Sequence, residues 1–315
     1  MTPETKNREV LVVSKVKKEK AASLKKIKIK KSDIFGWLVM LPAIILFAFF
    51  VWEPLLESIR LSLYSAKGVE LQEFVGFDNY IRVLHNVSFK AAFANTFKYI
   101  LWSLIIGFFV PILFAILISE TVVGKSFFRV AVYFPNMIPG MAVSLLWIYF
   151  YKPGPTGVLN ILLGKCGIEP NVWLNNAAIV IPLIVIAMTW KSAGSTSLIY
   201  MAGISGINPE YYEAAAIDGA GVFQRIRHIT LPCIFNLGKT MLILQVIAVF
   251  QILYEPLVLT NGGPNNASLS IMLLVYRYAF RDFNYPCAAA LSVMICIVLI
   301  ALSGLYMKLT KNKEE

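Results

Sequence analysis

Charge is scarce in this sequence. Of 315 residues only 15% are Asp, Glu, Lys or Arg, while 58% are hydrophobic and the mean hydropathy is +0.69. A soluble core with its solvated surface needs more polar residues than that, so the composition predicts an integral membrane protein. Histidine is nearly missing. His85 and His228 are far apart in sequence and expected on opposite sides of the membrane, which argues against a catalytic or metal-binding cluster. The four cysteines, Cys166, Cys233, Cys287 and Cys296, show no CxxC spacing and mostly lie in or beside apolar stretches. Neither a disulfide framework nor a zinc site is indicated, and they read as packing residues. A phosphate-cradling loop is absent too. Gly124-Lys125-Ser126 and Gly238-Lys239-Thr240 imitate its last residues, but Ser119 and Cys233 stand where the first glycine is required. The chain is expected to bind no metal or cofactor and to catalyse nothing itself. No internal repeat is visible.

What charge there is sits in particular places. The net charge of +11 carries no RNA-reading motif or aromatic platform, so nucleic acid is not an expected partner. Nine lysines between Lys15 and Lys31 precede the first apolar run, and a basic block there holds the N-terminus in the cytoplasm. That leader, residues 1–33, reads as mostly disordered. The run from Phe35 to Trp52 is too long for a signal-peptide core, and Glu53-Pro54 stands where a small-residue cleavage site is needed. An α-helix needs about 20 apolar residues to cross about 30 Å of hydrocarbon, which gives six spans, 34–54, 97–119, 128–151, 177–201, 234–259 and 286–308. Together, 34–308 form one transmembrane domain, and 309–315 a cytoplasmic tail. Six crossings from an inside start put both termini in the cytoplasm. Lys191, in the fourth span, either snorkels to the cytoplasmic boundary or lines a path. Pro42, Pro111, Pro135, Pro139, Pro182 and Pro256 are expected to kink their spans.

Between the fourth and fifth spans lies a polar, helix-forming stretch, 208–232, where a short plain loop would serve. Asn208 can cap a helix that opens on Pro209, with Glu210 and Glu213 near its positive end and Ala214, Ala215 and Ala216 as strong formers. Asp218-Gly219 supplies a turn. A second short helix follows, with Val222, Phe223, Ile226 and Ile229 on one stripe, and Leu231-Pro232 is expected to end it. The product is a helical elbow. Small residues at Ala214, Ala215, Gly219, Ala220 and Gly221 allow close approach of another protein, with Glu213, Asp218 and Arg225 as charge at the rim. The bland alternative is an amphipathic pair resting on lipid headgroups, which usually carries more Lys and Arg.

At these residues the chain resembles the permease subunits of binding-protein-dependent ABC importers, whose signature loop reads EAA, three residues, G, then I-x-LP. Here that is Glu213-Ala214-Ala215, Gly219 and Ile229-Thr230-Leu231-Pro232. Further segments, 75–84 with Asn95-Thr96, 127–139 with Trp147, and 259–268 followed by 276–280, resemble the carbohydrate-uptake branch. The maltose-type subunit has extra spans and a large external insertion that this chain lacks. It is more similar to the shorter oligosaccharide and glycerol-phosphate permeases. The resemblance implies an all-α, six-helix, type I importer permease in a bacterial cytoplasmic membrane. It also implies a second homologous permease, a cytoplasmic ATPase dimer that uses ATP and Mg, and an extracytoplasmic sugar-binding protein. The elbow, with Pro232 at its end, would then be the coupling element.

A sugar path needs amides matched to hydroxyls and flat apolar rings. Gln251 and Tyr254 are expected on one face of the fifth span, Gln245 elsewhere on that helix and Glu255 at its external end. Trp190, Asn136 and Tyr276 are further candidates. Each could equally bond one helix to another. Two other functions stay open: an ABC permease for a non-sugar solute, and a secondary transporter or channel working without an ATPase. The second would more often show acidic residues inside its spans, and here they are almost lacking.

Overall fold

A computed structural model describes residues 31–68, 70–121 and 123–311. The expected lysine-rich leader falls almost wholly outside the described residues. The chain divides into two compact units, Met1–Glu57 and Ser58–Glu315. In the first, helix α1 (Lys31–Phe47) runs through a π-helical turn, Ala48–Trp52, into α2 (Glu53–Ser62), the helix that crosses the boundary. All side chains from Phe35 to Pro54 are exposed. An apolar helix with no buried residue is what lipid, not water, solvates.

The second unit opens with a feature that an all-helical expectation misses, an antiparallel hairpin of β1 (Tyr64–Lys67) and β2 (Glu70–Phe74). Gly68 turns it at φ +65°, and Tyr64 packs edge-on against Phe74 with ring centres 5.3 Å apart. Helices follow: α3 (Asp78–His85), α4 (Val87–Trp102), α5 (Phe109–Glu120), α6 (Lys125–Met137), α7 (Gly140–Phe150), α8 (Val158–Lys165) and α9 (Val180–Ser205). Then come α10 (Pro209–Ile217), α11 (Val222–Arg225), α12 (Leu231–Phe250), α13 (Tyr254–Thr260), α14 (Ile271–Tyr276) and α15 (Tyr285–Lys311). The last helix runs past residue 308, where the tail was expected to begin.

Four helices among the described residues are long and apolar enough to cross a membrane: Phe35–Ser62, Val87–Glu120, Val222–Phe250 and Tyr285–Lys308. The expected third span is not one straight helix. Helices α6 and α7 meet at 98°, because Ile138, held extended before Pro139, cannot continue α6. Counted as one broken crossing, the pair brings the number to five. Helix α9 has 26 residues, but Lys191, Ser192, Ser195, Thr196 and Ser197 make its middle too polar to join that set. It is instead the most enclosed helix, with Ile184, Val185, Ala193 and Tyr200 all buried.

The prolines sort by position. Pro182 and Pro256 occupy first turns, where no hydrogen bond is lost. Pro54, Pro111 and Pro232 each come shortly after a π-helical turn, at 48–52, 103–107 and 226–230. A wide turn shifts the pairing of the carbonyls that a proline cannot satisfy, so the helix continues. The expectation that Leu231-Pro232 ends a helix is thereby corrected. Helix runs unbroken from Val222 to Phe250.

Helices α4, α13 and α14 enclose the irregular segment 261–270, whose carbonyls need donors that a buried site does not obtain from water. Asn95 Nδ2 donates to Asn266 O (2.7 Å) and Leu269 O (3.2 Å), and Tyr99 Oη to Ser268 O (2.9 Å). Ser268 Oγ donates to Gly263 O (2.6 Å), and Arg277 reaches Asn266 Oδ1 (2.9 Å) and Asn261 O. Two segments distant in sequence, around 95 and 259–268, thus form one bonded knot. Gly262 has φ +78°, and a Cβ there would lie 2.6 Å from Arg277 Nη2. We expect Gly262→Ala to strain the backbone by about 1–2 kcal/mol and to displace Arg277. Amide exchange across 259–268 of the detergent-purified protein would speed up, with 285–305 unchanged as the internal reference.

Candidate functional site

The elbow is built by local rules. Asn208 Oδ1 accepts from the Glu210 N–H (3.1 Å) and Pro209 occupies the first position of α10. The helix closes where the Ala220 N–H donates to Ala215 O (2.8 Å), a reversal that requires left-handed backbone at Gly219, φ +75°. The Gly221 N–H then donates to Gln224 Oε1 (2.9 Å), which starts α11.

Glu213, Ala214, Asp218, Gly219 and Gly221 are exposed, while Ala215, Ala220 and Arg225 are half-buried. Ala215, Asp218, Gly219, Ala220 and Arg225 border one groove of about 380 Å³, together with Gln224, His228 and Ile229. Pro232 is not part of it and belongs to α12. Beside the groove, Ile217 is 88% and Phe223 75% exposed, an apolar surface that nothing among the described residues covers. Arg225 is not a free rim charge. Its Nη2 lies 3.6 Å from Glu120 Oε2 at the end of α5, and Tyr212 Oη meets Thr230 Oγ1 at 3.0 Å. Glu120 was not singled out from the sequence, where nothing marks a partner about 100 residues away. A smaller hollow of about 250 Å³ lies between this pair and Lys125, whose Nζ donates to Ser119 O (3.1 Å).

The second feature is a cavity of about 390 Å³ between α9, α12 and α13. Four expected path residues line it: Gln245, Gln251, Tyr254 and Glu255. Their arrangement differs from the expectation. Helix α12 stops at Phe250, Gln251 caps it, and Tyr254 and Glu255 begin α13, so Gln251 and Tyr254 do not share a helix face. Gln245 does what both readings asked: it lines the cavity while its Nε2 donates to Ser103 Oγ (2.6 Å). Gly107 makes room for that bond, since a Cβ there would lie 2.5 Å from Gln245 Nε2.

Trp190, Asn136 and Tyr276 do not reach the cavity. Trp190 packs edge-on against Trp147 (6.0 Å), Tyr276 lies against Phe280 (5.1 Å), and Asn136 is half-buried on α6. Helix α9 supplies wall residues that the sequence reading missed, Met188, Ser192 and Thr196, at the four-residue spacing that puts them on one face. Lys191 falls near the middle of α9 rather than toward its end, with its Cε 3.7 Å from where a Gly140 Cβ would be. That placement disfavours snorkelling.

Among the described residues no group of three or more His, Cys, Asp or Glu could hold a metal ion.

Comparison with known proteins agrees with this arrangement. Residues 107–311 match the family described as the binding-protein-dependent transport system inner membrane component. A probable ABC transporter permease protein of Bacillus subtilis, YurN, is 30% identical over 292 residues, 91% of this chain and 99% of that protein. The trehalose/maltose transport system permease protein MalF of Thermococcus litoralis is 30% identical over 294 residues, 92% of this chain and 98% of that one. Among solved structures, a subunit of a bacterial alginate ABC transporter, crystallised with an alginate pentasaccharide-bound periplasmic protein, superposes with a TM-score of 0.77. It shares 28% identity, over 88% of this chain and 93% of that one. The chain is a multi-pass ABC importer permease, a member of the binding-protein-dependent transport system inner membrane component family.

Proposed function

We propose that this chain is one of two homologous transmembrane subunits of a bacterial importer. It would carry a sugar or oligosaccharide from an extracytoplasmic binding protein to the cytoplasm, driven by a separate ATPase dimer that consumes ATP and Mg. The observation that carries this reading is the single helix Val222–Phe250, which starts in the exposed elbow and ends at the cavity. From Val222 to Gln245 is about 35 Å at 1.5 Å per residue. A push on the elbow is delivered along one rigid element to the wall where solute would sit.

In the full topology six crossings place both termini and the elbow in the cytoplasm, with the broken α6–α7 pair and α9 as the third and fourth. ATP-driven closure of the ATPases moves the elbow, the cavity opens outward, and the docked binding protein releases its ligand into it. Hydrolysis resets the inward-facing state. Sugar as cargo is supported by the trehalose/maltose and alginate relatives and by a cavity wall of amides, hydroxyls and a tyrosine ring.

The test is a crosslink in intact cells. With the native cysteines replaced, Ala215→Cys and Ala220→Cys should each join to the ATPase subunit through a short bifunctional maleimide, and ATP should change the yield. A chain that accumulates solute while neither position ever captures an ATPase would not be an importer subunit of this kind.

A further inference from the structure

The cavity at the end of the long helix has one formal charge on its wall. Glu255, at the start of α13, is the ionisable carboxyl among the residues that line it, and the others are amides, hydroxyls and apolar groups. Lys191 is close enough to act on Glu255 through space but is not on the cavity wall. Its Cε lies 3.7 Å from where a Gly140 Cβ would be, and no ion pair within 4.0 Å joins it to Glu255. Glu255 is therefore the charge presented to the solute space.

We propose that Glu255 makes this cavity selective for uncharged glycans and excludes uronates and sugar phosphates, so that its cargo differs in charge from the acidic polysaccharide of the alginate transporter it resembles. This deepens the importer reading and rests on it. An ionised carboxylate only accepts hydrogen bonds, and the neighbouring hydroxyls of a neutral sugar donate them in charge-assisted pairs, the short and strong kind. Gln251 and Thr196 both donate and accept, and Ser192 Oγ, which donates to Met188 O (3.0 Å), accepts, so together they serve the remaining hydroxyls of the ring. A carboxylate or phosphate on the solute brings a second anion toward Glu255, and like-charge repulsion at that range disfavours it. Lys191 is absent from the wall, so it offers the solute no cation there.

Ser192, exposed on the cavity wall, supplies the probe position. In the assembled transporter with Cys166, Cys233, Cys287 and Cys296 replaced by Ala, Ser192→Cys is modified with cationic and with anionic methanethiosulfonate reagents of similar size. The cation-to-anion rate ratio, normalised to that of a free thiol in solution, should be at least about tenfold for a nearby fixed anion. Glu255→Gln should return it toward one. In the same vesicles, neutral oligosaccharides should protect Cys at 192 and an oligouronate of equal length should not, whereas in the Glu255→Gln variant the uronate should protect. The proposal is overturned by a ratio that Glu255→Gln leaves unchanged, by wild-type protection as good from uronate as from neutral glycan, or by no protection from any glycan. Neither reading needs the other's assay: if ratio and protection behave as stated while ATP drives no uptake, the importer reading fails and the charge filter stands.

Discussion

Gly219→Trp brings solute uptake to background, a loss of at least about 100-fold or ~2.7 kcal/mol of coupling, while the chain still inserts and folds. Two facts separate the effect from misfolding. Gly219 has φ +75°, so any L-residue there is strained by about 1–2 kcal/mol, and Gly219→Ala carries the same strain. No atom of the described residues lies within 4 Å of where a Cβ would point. Bulk at this position therefore meets nothing internal there; in the proposed assembly, what it meets is the partner. Gly219→Ala should retain a measurable share of uptake, and the difference between the two variants reads the external contact alone. Transport assays in cells, with the membrane fraction blotted for the chain, measure both. If the tryptophan variant transports as well as the alanine variant, nothing docks against this turn.

Gly194→Leu removes the protein from the membrane altogether. Where α9 crosses α6, a Cβ on Gly194 would lie 2.0 Å from Val132 O, 2.6 Å from Val132 C and 2.8 Å from Tyr133 Cα. These are backbone atoms, so no rotamer relieves the clash, and the helices have to part. Overpacking a core usually costs about 1–3 kcal/mol when side chains can yield; here even Gly194→Ala should exceed that range. Close helix contact through small residues is how membrane bundles gain van der Waals energy without a hydrophobic driving force, and this crossing has no substitute. Thermal unfolding of the detergent-purified Ala variant and the steady-state level of the Leu variant are the measurements. Gly164→Ala, at a helical position with nothing within 4 Å of the added carbon, serves as the unaffected control.

The elbow could be read residue by residue because its determinants are local. The Asn208 cap, the Pro209 start and the left-handed Gly219 are each dictated by neighbours within a few positions, and the structure contains all three. Apolar spans were legible for the same reason, since length and hydropathy are properties of a continuous stretch. The misreadings arise where the outcome depends on something distant. Leu231-Pro232 reads as a stop, but a π turn two to six residues upstream absorbs it. The break after Phe250 follows from how Gln251 to Leu253 pack, with Ser270 Oγ donating to Ile252 O (2.8 Å), a contact that no helical periodicity announces. Trp190 and Tyr276 have suitable chemistry but pack against Trp147 and Phe280, and Asn136 lies half-buried on α6, outside the cavity lining. Which face of a helix looks into a cavity is decided by the surrounding helices. Ser192 and Thr196 carried the signal that was missed: two hydroxyls one turn apart within an apolar helix.

The interruption between Phe250 and Tyr254 limits how far the stroke travels. In the proposed cycle, motion fed in at the elbow is carried by a stiff rod that terminates at the cavity, and the short helix after it is tied to the bonded knot at 261–270. The knot can serve as a fulcrum, holding still while the rod swings. In that cycle, unsealing the far side would fall to the proposed second subunit, so two homologous cranks would divide one cycle between them.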